Sequence, residues 1–285
     1  MKYLQRFAIT VATMLPLSRI MLAMIMAGVV QYVDGNQKII HVSELINDDE
    51  DFFTSGEGDS NDVCCEYGNC SCNSLDHALA NLGSNILINV TTDVMLSLLI
   101  TASNLQNVSI IGHNNPTVKC KTGGIYFIFC HNCIIQGITW NGCGTNKSIG
   151  NHTVPGLKLS NSSNVTIQNC CFQHSVGQAV VLSEASGDVN ITNCKFANNV
   201  DYGGHGAAMH YSSDNARKSQ FVFILNNCNF TSNGYTKSVV YIENKLFESH
   251  KIMFNYSIFW NNQGTYICLH NKSQNLFEWK SFVSE

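Results

Sequence analysis

The chain rewrites one phrase. "NVTIQNCCF" at residues 164–172 returns as "DVNITNCKF" at 188–196 and as "FILNNCNF" at 223–230, with fainter copies "NCIIQGITW" before and "KIMFNYSIF" after. Within the phrase hydrophobicity alternates with period two. Val165 and Ile167 therefore share one face of a strand, and after a small step Cys170 and Phe172 return to it. Superimposing the copies stacks Ile110, Ile135, Ile167, Ile191, Leu225 and Phe254 in one column. A second column holds Ile138, Cys170, Cys194, Cys228 and Ser257, and a third Trp140, Phe172, Phe196, Phe230 and Phe259. Each copy is followed, after a loop of variable length, by another short strand: "GLKLS", "QAVVLS", "GAAMHYS", "SVVYIE" and "TYICLH".

Successive column members lie 24 to 34 residues apart, the period of solenoid coils. A coil so small cannot bury its apolar face without a neighbour above and below. The expected fold is all-β, a parallel β-helix solenoid of about six coils in which like residues sit over like. A β-propeller is the competing architecture, but it needs four strands per blade and a repeat of about 40–45 residues. Ahead of the coils, "SLDHALANL" places Leu75, Ala78, Leu79 and Leu82 at helical spacing with Ser74 as the cap, so a short N-terminal capping helix is expected.

Four segments follow from composition. Residues 1–30 carry Lys2 and Arg6 before two apolar runs that Pro16 and Arg19 separate; each run is shorter than the roughly 20 residues of a membrane span, so a signal peptide is expected, with a signal anchor as the alternative. Residues 31–62, containing "NDDEDFFTSGEGDSND", read as an acidic disordered linker. Ser55, in Ser-Gly-x-Gly after an acidic run, resembles a glycosaminoglycan attachment site. Residues 63–73 form a Cys-rich segment in which Cys64, Cys65, Cys70 and Cys72 are disulfide candidates. Their spacing lacks the paired C-x2-C of common zinc modules, so no metal is expected. Residues 74–285 are the β-helix domain. Within it Cys171 points outward and is expected to bridge, with Cys143 as a partner.

Sequons Asn89, Asn107, Asn146, Asn151, Asn164, Asn190, Asn229, Asn255 and Asn271 are candidates for N-glycosylation. Asn164, Asn190, Asn229 and Asn255 occupy outward slots of the repeat, as a glycan requires. Charged residues make up 13% of the chain and the net charge is -4, which excludes the basic surface of a nucleic-acid binder.

The capping helix, the coils and phrases such as "NVSIIGHNNPTVKC" and "NVTIQNC" resemble the right-handed parallel β-helix superfamily of pectate-lyase type, from residue 74 onward. Within it, the chain is similar to secreted or cell-surface β-helix proteins of simple animals. The resemblance implies a right-handed solenoid displayed outside the cell, and raises polysaccharide cleavage as an activity. Gly204-His205-Gly206 resembles the Gly-His-Gly of polygalacturonases, but the Asn-Thr-Asp, Asp-Asp and Arg-Ile-Lys motifs that accompany it there are missing. The nearby carboxyls are Glu184, Asp188 and Asp201, whereas inverting hydrolysis needs two that flank the bond. A lyase needs an arginine base, and Arg217 is the only arginine after Arg19. His205 and His210, at odd spacing, are expected on opposite faces of one strand, so they do not share a metal. Tyr126, Tyr202 and Tyr211 are candidates for stacking on sugars.

The sequence reading is therefore a non-enzymatic, cofactor-free glycoprotein, secreted or on the extracellular face of the plasma membrane. It serves as a binding or adhesion scaffold for glycans or extracellular proteins. A polysaccharide lyase or glycoside hydrolase is the alternative. Membrane attachment is expected only through an uncleaved signal or through modules beyond the C-terminus. The tail, with Leu276, Phe277 and Trp279, either covers the final coil or leads into such modules.

Overall fold

At the corners of each coil the backbone enters the left-handed region, and the sequence puts asparagine there. Asn169, Asn193 and Asn227 have φ of 53°, 54° and 53°, and Asn107, Asn132 and Asn164 have 54°, 56° and 53°. Asparagine tolerates this conformation better than other residues with a side chain, because its short amide can hydrogen-bond locally. These asparagines also bond one another from coil to coil. Asn107 Nδ2 donates to Asn85 Oδ1 at 2.8 Å, Asn132 to Asn107 at 2.9 Å and Asn164 to Asn132 at 3.1 Å. At the next corner Asn193 donates to Asn169 at 3.2 Å and Asn227 to Asn193 at 2.8 Å.

Between the corners run three parallel sheets, and together they form a right-handed parallel β-helix. In this computed structural model the described residues are 37–43, 70–72, 74–80, 83–121, 123–149, 152–202, 205–213, 221–234, 238–244, 250–269, 277–280 and 283–284. Sheet 1 has ten strands, from Cys70–Cys72 at one edge through Lys38–Val42, Ile86–Val90 and six more to Phe277–Lys280. Sheet 2 has eight short strands, from Val94–Leu96 to Val283–Ser284, and sheet 3 has seven, from Ile100–Ser103 to Thr265–Leu269. The chain visits the sheets in the order 1, 2, 3. A two-stranded antiparallel hairpin, Thr145–Ile149 with His152–Val154, projects from the loop between sheets 2 and 3.

The core is a set of ladders. On sheet 1, Ile40, Ile88, Ile110, Ile135, Ile167, Ile191, Leu225 and Phe254 lie in register, and the backbone of Trp279 continues the row. On sheet 2, Trp140, Phe172, Phe196, Phe230 and Phe259 are in register and buried. Their rings stack nearly parallel, with centroids 6.4, 5.2, 4.9 and 4.4 Å apart. Such pairs contribute about 0.5–1.5 kcal/mol each beyond the area they bury.

A second, polar ladder runs inside, and the repeated phrase as first read does not show it. Asn199 and Asn233 are fully buried. Asn233 Oδ1 accepts from the backbone N–H and the amide of Asn199 at 3.1 and 2.9 Å, and Asn262 Oδ1 accepts likewise from Asn233 at 2.9 and 3.0 Å. The amides of Asn199, Asn233 and Asn262 also donate to the carbonyls of Phe172, Phe196 and Phe230. The signal was present in sequence: each of these asparagines stands three residues after a ladder phenylalanine.

Several expectations need correction. Residues 31–62 are not a linker throughout, because Lys38–Val42 is a strand of sheet 1 with Ile40 and Val42 fully buried. The acid-rich run that dominates that segment's composition begins only at Asp48. Residues 44–62, Ser55 and Cys64 and Cys65 among the neighbouring candidates lie outside the described residues, as does the segment 1–36. Solenoid pairing also begins ahead of residue 74. The helix Leu75–Ala80 does follow, with Ser74 Oγ accepting from the His77 N–H at 3.2 Å, and it packs against the strands Lys38–Val42, Val94–Leu96 and Ile100–Ser103. At the other end the tail covers the final coil through its backbone: Phe277–Lys280 pairs with His250–Asn255 and Val283–Ser284 with Ile258–Trp260, adding two strands to the stack.

Substitutions at two positions separate core from corner. Phe230→Ala, which empties the centre of the aromatic stack, is expected to lower unfolding free energy by about 3–5 kcal/mol. Asn193→Ala is expected to cost about 1–2 kcal/mol through the left-handed backbone, while Asn193→Gly recovers most of that loss. Urea denaturation of the three variants checks the order.

Candidate functional site

The longest connections between the described strands leave sheet 2. The corners from sheet 1 to sheet 2 are tight, and those from sheet 3 to sheet 1 are tight as far as Ser186 but longer after Ser213, Asn244 and Leu269, whereas the passage from sheet 2 to sheet 3 holds the longest loops, between Asn141 and Leu157 and between Ala197 and Met209. These loops border the outward face of sheet 3, where Thr101, Tyr126, Lys158, Val181, His210, Tyr241 and Cys268 lie in register. Lys158 Nζ sits over the Tyr126 ring at 5.4 Å, a cation–π contact. Burial pushes the Tyr126 phenol up to about 12, so it stays protonated.

Further along, His205, His210 and Tyr241 form one cluster. The imidazoles stack at 5.6 Å with a 15° interplanar angle, and Tyr241 meets both edge-on at 5.5 and 5.3 Å. This overturns the expectation of opposite faces. Period-two alternation applies inside a strand, and the strand begins only at Met209. His205 precedes it in the loop, held by its N–H to Asp201 Oδ2 at 2.9 Å. Gly206 makes the approach feasible: its φ is +84°, and a Cβ there would lie 2.3 Å from Met209 O and 2.9 Å from Tyr241 N. The glycine after His205 thus has a steric reason of its own.

His210 is a neutral imidazole. Burial first, then the nearby His205 and Lys158, pull it down to about 4. Its Nδ1 lies 3.4 Å from the Gln178 amide, which can only donate to it. The ring proton therefore belongs on Nε2, which is buried, has no hydrogen-bond partner among the described residues, and faces Glu243 Oε2 at 3.9 Å. A buried donor without an acceptor is costly in the unliganded state and rewards an incoming oxygen.

The other candidates are dispersed. Tyr202 is exposed in the loop, whereas Tyr211 is fully buried against Phe223 and cannot reach a ligand. Its neighbour His210 faces outward because alternate strand residues take opposite sides. Asp201 is buried, Glu184 occupies the left-handed corner after sheet 3, and Asp188 lies on sheet 1. The structure does not bring these three together. Among the described residues no group of three or more His, Cys, Asp or Glu is arranged to hold a metal.

The cysteines pair differently from the expectation. Cys143 is buried and bonded to Cys120 one coil away, with Cα atoms 4.8 Å apart, and Cys171 is a free thiol. The loop turns Cys143 inward toward its neighbour in the preceding coil, out of reach of the outward Cys171. A second bridge joins Cys130 and Cys133. Cys72 is disulfide-bonded, and Cys70 lies in the edge strand of sheet 1. Of the sequons, Asn107, Asn164 and Asn229 are exposed and Asn89, Asn190 and Asn255 partly so. Asn146 lies in the projecting hairpin, and Asn151 and Asn271 lie outside the described residues.

The family described as a right-handed β-helix region matches residues 59–223, more than half of the chain, and the chain belongs to it. Among solved structures it is similar to Jun a 1, the major allergen from cedar pollen, at 9% identity over 88% of this chain and 77% of that one, with a TM-score of 0.48. It is also similar to the pectin methylesterase from Aspergillus niger, at 12% identity over 87% of this chain and 90% of that one, with a TM-score of 0.41. At such identities the likeness is one of fold. A comparison with curated proteins found no match.

These likenesses correct the expectation that the chain is not an enzyme. The missing polygalacturonase motifs speak to that one chemistry only, and a β-helix region can host others.

The His210 environment has a consequence for stability. Its folded pKa, about 4, lies below the ordinary value of 6.5. Between those values the unfolded chain binds a proton that the folded chain does not, so stability falls as pH drops from 6.5 toward 4. The loss is expected to reach about 3 kcal/mol, and His210→Gln should remove that part of the pH dependence in denaturation curves recorded from pH 4 to 7.

Proposed function

We propose that this β-helix is an extracellular recognition protein that binds a glycan along the outward face of sheet 3. The observation that carries the reading is the buried, unanswered Nε2 donor of His210, set between an exposed imidazole and the tyrosines of one register row. Flat aromatic surface beside fixed hydrogen-bond groups suits a sugar ring, which offers apolar faces and hydroxyls together. Lys158, two strands from His210 in the same row, adds a site for a carboxylate or another anionic substituent. The loops from sheet 2 to sheet 3 vary in length and would set which sugar fits. The Cys120–Cys143 bridge supports an oxidising compartment, as expected of a secreted or surface-displayed chain.

Binding of the glycosylated protein to a broad glycan array tests this, with turnover of acidic polysaccharides assayed on the same preparation. A defined set of bound glycans, weakened at least tenfold by Lys158→Ala or His205→Ala, is the expected result. Turnover would make the same face a catalytic one. Binding that survives both substitutions would remove the site from sheet 3, and silence on the array would point to an extracellular protein as the ligand.

A further inference from the structure

Three thiols stand in line inside the corner between sheets 1 and 2. Cys170, Cys194 and Cys228 are buried, and none is bridged. Each follows the left-handed asparagine of its corner, and consecutive coils are tied at that point. The Lys195 N–H donates to Cys170 O and the Asn229 N–H to Cys194 O, both at 2.9 Å. The side chains repeat as well. Each thiol donates to the carbonyl two residues before it, Gln168, Thr192 and Asn226, at 3.3, 3.4 and 3.5 Å. Each also lies 3.5–3.7 Å from a carbonyl of the preceding coil, that of Ile135, Ile167 or Ile191. The three sulfurs therefore stack.

Neighbouring strands lie about 4.8 Å apart, inside the Cα–Cα window of about 4.4–6.8 Å that a disulfide needs. The solenoid already closes such a bridge, since Cys120 and Cys143 are joined between adjacent coils at a Cα separation of 4.8 Å. Cys170 and Cys228 are two coils apart, about 9.6 Å on the same spacing, and cannot pair.

We infer that this ladder is a second inter-coil disulfide site with a shared centre, in which Cys194 bonds either to Cys170 or to Cys228 and the remaining member stays a thiol. The oxidant is a small disulfide such as oxidised glutathione. The Cys194 thiolate attacks one of its sulfurs, giving a mixed disulfide and releasing one glutathione thiol. The thiolate of Cys170 or Cys228 then attacks the Cys194 sulfur and releases the second. Two protein thiols lose two electrons and two protons, and the reagent leaves as two thiols. The two pairings interconvert without further oxidant when the third thiolate attacks Cys194 and expels its partner. Both steps belong to folding, because the closed coil buries all three sulfurs and holds the Cys194 thiol well above its ordinary pKa, through the hydrogen bonds with Cys170 and Cys228 and then through burial. The inference does not depend on the glycan-binding reading.

The test is a disulfide map. Full-length protein is refolded from its reduced, denatured state in a glutathione redox buffer, and the soluble monomer is alkylated in denaturant without reductant and digested for mass spectrometry. The expected product has one bridge in the ladder, with the alkyl group on Cys170 or Cys228 and never on Cys194. Cys170→Ser should drive the bridge wholly to Cys194–Cys228, and Cys194→Ser should leave Cys170 and Cys228 both alkylated. Alkylation of all three in the wild type, a Cys170–Cys228 bridge, or a ladder cysteine paired elsewhere would overturn the inference.

Discussion

Every coil must close on itself and still present its strands in register to the coils above and below. Strand spacing is fixed at about 4.8 Å by backbone hydrogen bonding, so whatever one coil places at a position meets its counterpart in the next. That constraint sorts residues by position. Apolar residues stack inward as isoleucine and aromatic columns, and asparagine collects at corners whose left-handed backbone disfavours other side chains. The low charge content of the chain, 13%, fits a body in which stacked like charges would repel and stacked amides attract.

The same constraint determines where function can reside. The corner from sheet 1 to sheet 2 is tight, and the asparagines there are committed to a ladder between coils. Variation is largest in the passage between sheets 2 and 3, where loops can lengthen without disturbing the register, and on the outward face of sheet 3 beside them. His205 illustrates the arrangement: it comes from such a loop, is held by Asp201, and reaches His210 on the strand because Gly206 lets the backbone turn. The rigid sheet supplies one imidazole and the loop supplies the other.

Much of the core was legible because it is local and repeated. The isoleucine and phenylalanine columns came from alternation within a nine-residue phrase, and the register of the sheets is the register of those phrases. The interior asparagines were harder to see in an asparagine-rich chain, since their mark in the sequence, a place three residues after Phe196, Phe230 and Phe259, gains its meaning only from the hydrogen bonds that tie them together. The strand Lys38–Val42 was hidden for a different reason. It lies far in sequence from its partners and next to an acidic run, so composition outweighed five residues whose place is set by pairing with Ile86–Val90.

The sequence by itself determined the solenoid, its ladders and its buried thiol column, because a periodic chain can satisfy its own hydrogen bonds and apolar faces only by stacking. The tertiary structure decided the rest. It brought Cys143 to Cys120 rather than to Cys171, turned Tyr211 into the core, and set His205 against His210. The register of the strand Met209–Ser213 places Tyr211, and the other two depend on the path of a loop whose length varies from coil to coil. A loop has no period, and its direction is settled only by the coils on which it lies.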